Sequence, residues 1–530
     1  MPSNLTVLEE MTKPSKYQTP SFPARSKPNA FFMLVTAFAL MGLVLIGTFL
    51  LFVDFQDWFF EIERPYLITW VLATGLVIVA PSAYLLYRKE FSLAHPIVFS
   101  TITYFFPIFF LGGLSLAFGL SNHYFLNYVT DPAYNFPLTF FYVMIGFAGL
   151  SLGFFIPYGK RIGNFFANWL PNWQFKPAEV VMPSLFFLGL GIFLNLLALD
   201  IGQIGYQRSG LVIGITGSLN YYLTMITPAS AFLLWLAFFK FEKWNANHLI
   251  IAITQVFIAV FMLVLLGGRS SLLISLMLMI LAYTMAGRKF RLQHLTLIGI
   301  ILPLFLIFGI IYGTTFRNLK SNDERVSIEQ YGEIALETVG NITETDFSKQ
   351  LSVVFELLAE RLEIVSSLGV VVANYEQMQP YEASYGLENN IWTYTWTAFI
   401  PRFLWQEKPI IADNYSYNEL YFDHGGYGLA ITAMGDLLRN FGPVGIPLGM
   451  IILGFSLRIF YAMFVEELPF SIWRYTLYLT VLAKISYDSF YGEIFPTVIR
   501  VAVIIFIQLF ILKVAVYALR DRGKMRMREN

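Results

Sequence analysis

Twelve times along this chain an apolar run long enough to cross a bilayer as a helix is separated from the next by a polar connection. These runs begin near Ala30, Tyr66, His95, Leu138, Val180, Tyr221, Leu249, Ser270, Leu295, Phe441, Phe470 and Thr497. A hydrocarbon core about 30 Å thick takes about 20 helical residues, because unpaired backbone groups cannot face lipid. The composition agrees: 57% of residues are hydrophobic and 13% charged, so dividing the length into soluble-sized domains would mislead. The expected fold class is all-α, a polytopic bundle of about 12 transmembrane helices.

Cationic residues set the expected orientation, since short cytoplasmic loops are enriched in Lys and Arg. On one side lie Lys13, Lys16, Arg25 and Lys27 of the N-terminal tail, Arg88 and Lys89, Lys160, Arg161 and Lys176, Lys240 and Lys243, the Arg288 to Arg291 group, Arg474, and the basic run from Arg520 to Arg528. The short loops on the other side carry only Arg64, Arg208 and Arg269. Both termini are therefore placed in the cytoplasm. The expected division is a cytoplasmic tail over 1–29, helices one to nine over 30–314, a large external loop over 315–440, helices ten to twelve over 441–517 and a basic tail over 518–530. The first span lacks a small-residue cleavage signature, so it reads as an uncleaved helix. Cysteine is absent, which excludes disulfides, thiol nucleophiles and Cys-based metal sites.

A connection as long as 315–440 exceeds what chain reversal needs, and such loops usually carry function. Two amphipathic patterns lie within it. One runs from Asp346 to Asn374, with Leu351, Val354, Phe355, Leu358, Leu362 and Val365 on one face, and a shorter one runs from Val326 to Thr338. Both are expected on the membrane surface or as caps on the bundle. The loop is acidic, with 18 acidic and 8 basic residues, so its cations need local reasons. Arg317 closes the ninth span, Arg402 and Lys408 flank Pro401 and Pro409, and Arg439 precedes the tenth. Guanidiniums gathered at one bilayer face suit the phosphate of an anionic lipid, although each could instead pair with a neighbouring carboxylate, as Arg361 beside Glu360 suggests.

Arg269 lies in the tight hairpin Gly267-Gly268-Arg269-Ser270-Ser271 at the start of the eighth span. Free N–H groups and the helix dipole favour an anion there, and an interfacial arginine reaching headgroup phosphates would look the same. The last spans hold Lys484, Asp488 and Arg500, with Glu493 between them. Lys484 and Asp488 are four apart, which would put them on one helix face as an ion network or an outward polar site.

The segment Tyr381 to Asn414 resembles the external loop of Wzy-type oligosaccharide repeat-unit (O-antigen) polymerases, through a PRxLWPxKP-like run matched by Pro401, Arg402, Leu404, Trp405, Lys408 and Pro409. Gln406 stands where the family usually has proline. Gly435-Asp436 and the Asn440 to Gly445 stretch look like the family's entry to the next span, and the Gly267 to Ser271 hairpin sits where the family places an arginine. The similarity covers roughly Leu249 to Phe464.

The resemblance implies a GT-C-like plasma-membrane glycosyltransferase of lipopolysaccharide or exopolysaccharide biosynthesis. Such an enzyme transfers a glycan from undecaprenyl diphosphate to a sugar hydroxyl of another lipid-linked repeat unit, without a cofactor or metal. Its partners would be lipid-linked donor and acceptor, membrane lipids and a chain-length regulator, with no nucleic acid. That chemistry needs fixed cations for the leaving diphosphate and a base for the hydroxyl proton. Arg269, Arg317, Arg402, Arg439 and Lys408 are candidates for the first role. His424 and Asp436 are candidates for the second, His424 being one of two external histidines with His123. Tyr385, Trp392, Trp396 and Trp405 could stack on sugars or anchor at the interface. Alternatives are an O-antigen ligase, with the same donor and another acceptor, and a flippase, in which Lys484, Asp488 and Arg500 would couple transport. No repeated halves of the transporter kind are evident.

Overall fold

The structure, a computed structural model, describes residues 63–121, 123–200, 223–241, 246–266, 269–288, 291–320, 327–344, 347–387, 390–397, 400, 405, 414–423 and 429–529. The first expected span, from Ala30, lies outside the described residues. All regular structure among the described residues is helical. In chain order the helices are α1 (Leu67–Tyr87), α2 (Pro96–Ala117), α3 (Pro132–Phe155), α4 (Pro157–Ala167), α5 (Pro177–Asp200), α6 (Ile226–Lys240), α7 (Ala246–Leu266), α8 (Arg269–Met285) and α9 (Leu292–Leu319). They continue with α10 (Ile328–Glu344), α11 (Phe347–Leu362), α12 (Val365–Glu382), α13 (Asn390–Thr397), α14 (Asn414–Phe422), α15 (Ala433–Phe464), α16 (Ile472–Leu482) and α17 (Tyr491–Glu529).

Among the described residues, six helices are long and apolar enough to cross a membrane: α1, α2, α3, α5, α15 and Tyr491–Arg520 of α17. Shorter apolar helices lie within α6, α7 and α8. These features mark an integral membrane protein. Helix starts follow the apolar runs closely, at Leu67, Pro96, Ile226, Arg269 and Ile472, for example. Proline opens α2, α3, α4 and α5, where its missing N–H costs nothing and its fixed φ suits the first turn.

The bundle centres on the contact between α3 and α15. A Cβ on Gly153 would lie 2.1 Å from the Ile451 carbonyl oxygen, and one on Gly454 would lie 2.0 Å from that of Leu150. Only hydrogen at these positions lets the two backbones approach so closely, as small residues do where no hydrophobic drive separates helix from lipid. α15 is broken at Gly442, whose φ of +67° is open to glycine, and Pro443 follows. Residues 433–441 therefore form a short helical arm before the long apolar segment starts, at the position where the sequence puts the tenth span.

The long connection over 315–440, expected outside, departs from expectation in two respects. The pattern from Asp346 to Asn374 is two helices, not one, because the chain breaks between Leu362 and Val365. Glu363 turns inward there: its Oε1 accepts from the Ser366 backbone N–H at 2.7 Å, and its Oε2 from the Ser366 hydroxyl. It caps α12 instead of facing water. Secondly, α12 is not laid on a surface. Every residue from Val365 to Val372 is buried, and α12 packs against α3 and α15. The apolar face read for the longer pattern holds in α11, where Val354 packs with Ile307 and Ile310 of α9; the shorter pattern is α10, whose Tyr331 and Ala335 pack with Tyr312 and Phe316.

Candidate functional site

The short arm at the start of α15 carries Asp436, Arg439 and Asn440, spaced to share one helix face. Arg439 is 1% exposed and Asp436 0% exposed. Arg439 Nη2 donates to Asp436 Oδ1 at 2.8 Å, while Nη1 lies 3.0 Å from Glu382 Oε2 and donates to the Leu387 carbonyl at 2.8 Å. Asn440 Nδ2 donates to Asp436 Oδ1 at 3.0 Å, and the Gly492 N–H donates to Asp436 Oδ2 at 3.3 Å. One guanidinium thus ties the end of α12 to the arm of α15, and one carboxylate ties that arm to the start of α17.

Tyr417 and Tyr421, four apart on α14, close the remaining side. The Tyr421 hydroxyl donates to Glu382 Oε1 at 2.8 Å. Burial raises the Glu382 carboxyl above the ordinary carboxylate range despite Arg439 beside it, and raises the Tyr421 and Tyr417 phenols. The Tyr417 hydroxyl is buried and has no hydrogen-bond partner among the described residues.

Next to this buried node runs the connection between α16 and α17, anchored by Tyr487. Its hydroxyl meets Ser100 Oγ at 2.6 Å, and its ring lies 5.0 Å from Phe105. Its carbonyl accepts from the Ala433 N–H at 2.8 Å, and the Thr432 N–H reaches the Asp488 carbonyl at 3.3 Å. Thr432 holds a φ of +64°, unusual for a β-branched residue, while its hydroxyl caps α15 by accepting from Gly435 N–H. Clamped this way, Asp488 presents an exposed carboxyl that also accepts from the Ser486 hydroxyl. Desolvation by the surrounding protein nevertheless raises its pKa. Glu493, also exposed, lies within electrostatic reach of Arg500, Asp488 and Asp436. Helix α13 packs along α17 and brings two exposed tryptophans: Trp392, 6.2 Å from the Phe441 ring, and Trp396, stacked on Trp405 at 5.7 Å.

The expected residues therefore separate into groups. Asp436, Arg439, Asp488, Glu493 and Arg500 come together around the start of α17. Arg439 is already neutralised by two carboxylates, and Asp436 is fully engaged by three donors. Lys484 does not share a helix face with Asp488, because α16 ends at Leu482 and the Ser486 to Ser489 stretch turns instead of continuing the helix. Arg500 couples to Glu493 and not, as expected, to a Lys484–Asp488 pair. Arg317 closes α9, which packs on α10 and α11, and Arg269 opens α8. Arg402, Lys408 and His424 lie outside the described residues, as do Gly267 and Gly268. His123 is not a free base: its Nε2 lies 3.5 Å from Glu363 Oε2. Glu382, Tyr417 and Tyr421 were not anticipated; the four-residue spacing of the tyrosines was the one available signal. Among the described residues no group of three or more metal-ligating side chains converges.

A family model described as a domain of unknown function, DUF8712, matches residues 193–423, which takes in Glu382, Trp392, Trp396, Tyr417 and Tyr421 but not the arm of α15 or the start of α17. No curated protein matches the chain. No solved structure matches it either.

Proposed function

We propose that this chain is an oligosaccharide repeat-unit polymerase, a twelve-span glycosyltransferase of the plasma membrane with its site at the outer end of the bundle. The observation that carries the reading is the pair of exposed carboxylates, Asp488 and Glu493, beside a buried charge node at the start of α17, the helix along which α13 packs with its exposed Trp392 and Trp396. Carboxylates beside aromatic rings suit a sugar, whose apolar face stacks while its hydroxyls donate to the acid.

In the proposed reaction the hydroxyl oxygen of the acceptor sugar attacks the anomeric carbon of the donor. Its proton passes to Asp488 or Glu493, and the bond to the prenyl diphosphate breaks with the electron pair leaving on the diphosphate. Arg439 and Asp436 hold the carboxylates in place and do not themselves bind diphosphate or take the proton. Arg269, Arg317, Arg402 and Lys408 remain the proposed contacts of the leaving group, with Arg500 beside Glu493 as a further cation. No cofactor is required by this scheme.

The test is incubation of the purified protein with lipid-linked repeat units in the absence of an ion gradient. A ladder of extended chains supports polymerisation. Transfer only to a different acceptor lipid would indicate a ligase, and movement across vesicles without bond formation would indicate a flippase.

A further inference from the structure

The far end of the bundle, a long helix away from the Arg439 node, holds a second unexplained set of charges. Arg474 on α16 is 8% exposed, and no carboxylate pairs with it among the described residues. Its Nε and the neighbouring Trp473 Nε1 are both buried donors without a hydrogen-bond acceptor. A buried, unpaired guanidinium is costly, and two adjacent orphan donors call for a group that only accepts. The Arg474 Nη atoms are not among these buried orphans, so the end of the guanidinium stays within reach of an anion.

Aromatic rings extend this point into a strip. The Arg474 guanidinium lies 5.7 Å from the Trp473 ring, Trp473 is 4.9 Å from Trp173, and Lys513 Nζ is 5.6 Å from Trp173. Lys513 shares one face of α17 with Phe510 and Tyr517, both exposed. Glu179, the nearby acid at the start of α5, is already taken by Arg520 at 2.5 Å. On the adjoining face of α17, Ile511, Ala515 and Leu519 form with Phe186 and Met182 of α5 an apolar groove of about 400 Å³.

We infer that this strip binds an anionic phospholipid, its phosphate on Arg474 and Lys513 and an acyl chain in the groove between α5 and α17. An acceptor-only headgroup neutralises the unpaired Arg474 guanidinium, and the groove is lined for hydrocarbon. The site lies away from the proposed sugar site and does not depend on that assignment.

The test is native mass spectrometry of the full-length protein released from micelles containing equal phosphatidylglycerol and phosphatidylcholine. The wild type should retain phosphatidylglycerol preferentially, and Arg474→Gln and Lys513→Gln should each lower that preference about fivefold. Equal retention of the two lipids by the wild type, or wild-type preference in both variants, overturns the inference. If Arg474→Gln is not monodisperse, Lys513→Gln decides alone. Separately, dioctanoyl phosphatidylglycerol should raise the wild-type melting temperature more than inorganic phosphate does; an equal rise would mean a phosphate site with no lipid requirement and would also overturn it.

Discussion

Arg439 and Glu382 meet at 3.0 Å, one from the arm of α15 and the other from the end of α12, both buried, and this ion pair fixes where the arm of α15 begins. Neither charge can be removed alone without stranding the other in a medium that solvates it poorly. Arg439→Ala should cost about 3 to 5 kcal/mol, because Glu382 and Asp436 are both left without their cation. Arg439→Lys should recover only part of this, since an ammonium cannot serve both carboxylates and the Leu387 carbonyl with a planar fork. Unfolding of the detergent-solubilised variants, followed by intrinsic fluorescence, measures the difference; a wild-type curve for Arg439→Ala would remove the pair from the account of the fold.

The same burial gives Glu382 a distinctive pH signature. Its carboxyl is raised in the folded protein, by desolvation first, above the value of about 4.3 that it has when unfolded. The folded state therefore holds this proton at pH values where the unfolded state has released it. The stability it contributes is present below about pH 4.3 and is lost as pH rises through the folded value. Glu382→Gln stays neutral at every pH, so the melting temperature of the variant relative to wild type should climb across that window and level off above it. A constant offset would show that the carboxyl titrates alike in the folded and unfolded chain, and that burial does not raise it.

Asp488 and Glu493 are separable by their neighbours. Asp488 sits on a connection held by Tyr487 and Thr432, whereas Glu493 shares α17 with Arg500. Whichever takes the hydroxyl proton should, as the amide, lose chain extension by about 100-fold or more, the usual weight of a general base. The other should lose far less. Both variants should melt close to the wild type, because each replaces an exposed carboxylate with an amide of the same shape. Undiminished ladders from Asp488→Asn and from Glu493→Gln alike would discard both as the base.

Trp392 and Trp396 are 64% and 55% exposed, so their rings contribute little to the core. A sugar stacked on either gains about 0.5 to 1.5 kcal/mol beyond buried area. Trp392→Ala and Trp396→Ala should accordingly raise the KM for acceptor about 2- to 10-fold with kcat nearly unchanged, and Trp→Phe should restore most of it. A fall in kcat at constant KM would contradict a binding role.

The helices were legible because the bilayer imposes length and apolarity one segment at a time, and neither depends on what the segment touches. That is why Leu67, Pro96, Arg269 and Ile472 begin helices where the apolar runs begin. The site was only half legible. Asp436 and Arg439 stood out as charges beside a span, yet their partners Glu382 and Tyr421 come from α12 and α14, and no local pattern announces a pairing across that distance. The break at Glu363 was hidden for a related reason: a glutamate in an amphipathic run reads as a solvated face until its carboxylate is seen to cap the following helix. Lys484 and Asp488 misled in the opposite sense, because spacing implies a shared face only if the helix continues, and it ends at Leu482.

The α3–α15 contact makes the last prediction. With Gly454 facing the Leu150 carbonyl and Gly153 facing that of Ile451, an added methyl at either site meets backbone, which cannot swing aside as a side chain would. Gly454→Ala should therefore cost about 1 to 3 kcal/mol by forcing the helices apart. Once they have separated, a methyl at the second glycine finds room already made, so the double variant should cost less than the two single variants together. Gly189 on α5 is the control, since an added Cβ there has nothing within 4 Å. Gly189→Ala should be neutral or stabilising by up to about 1 kcal/mol, from helix propensity alone. Equal losses at Gly189 and Gly454 would mean that glycine serves helix flexibility in this bundle, and that close approach of α3 and α15 is not what the small residues are for.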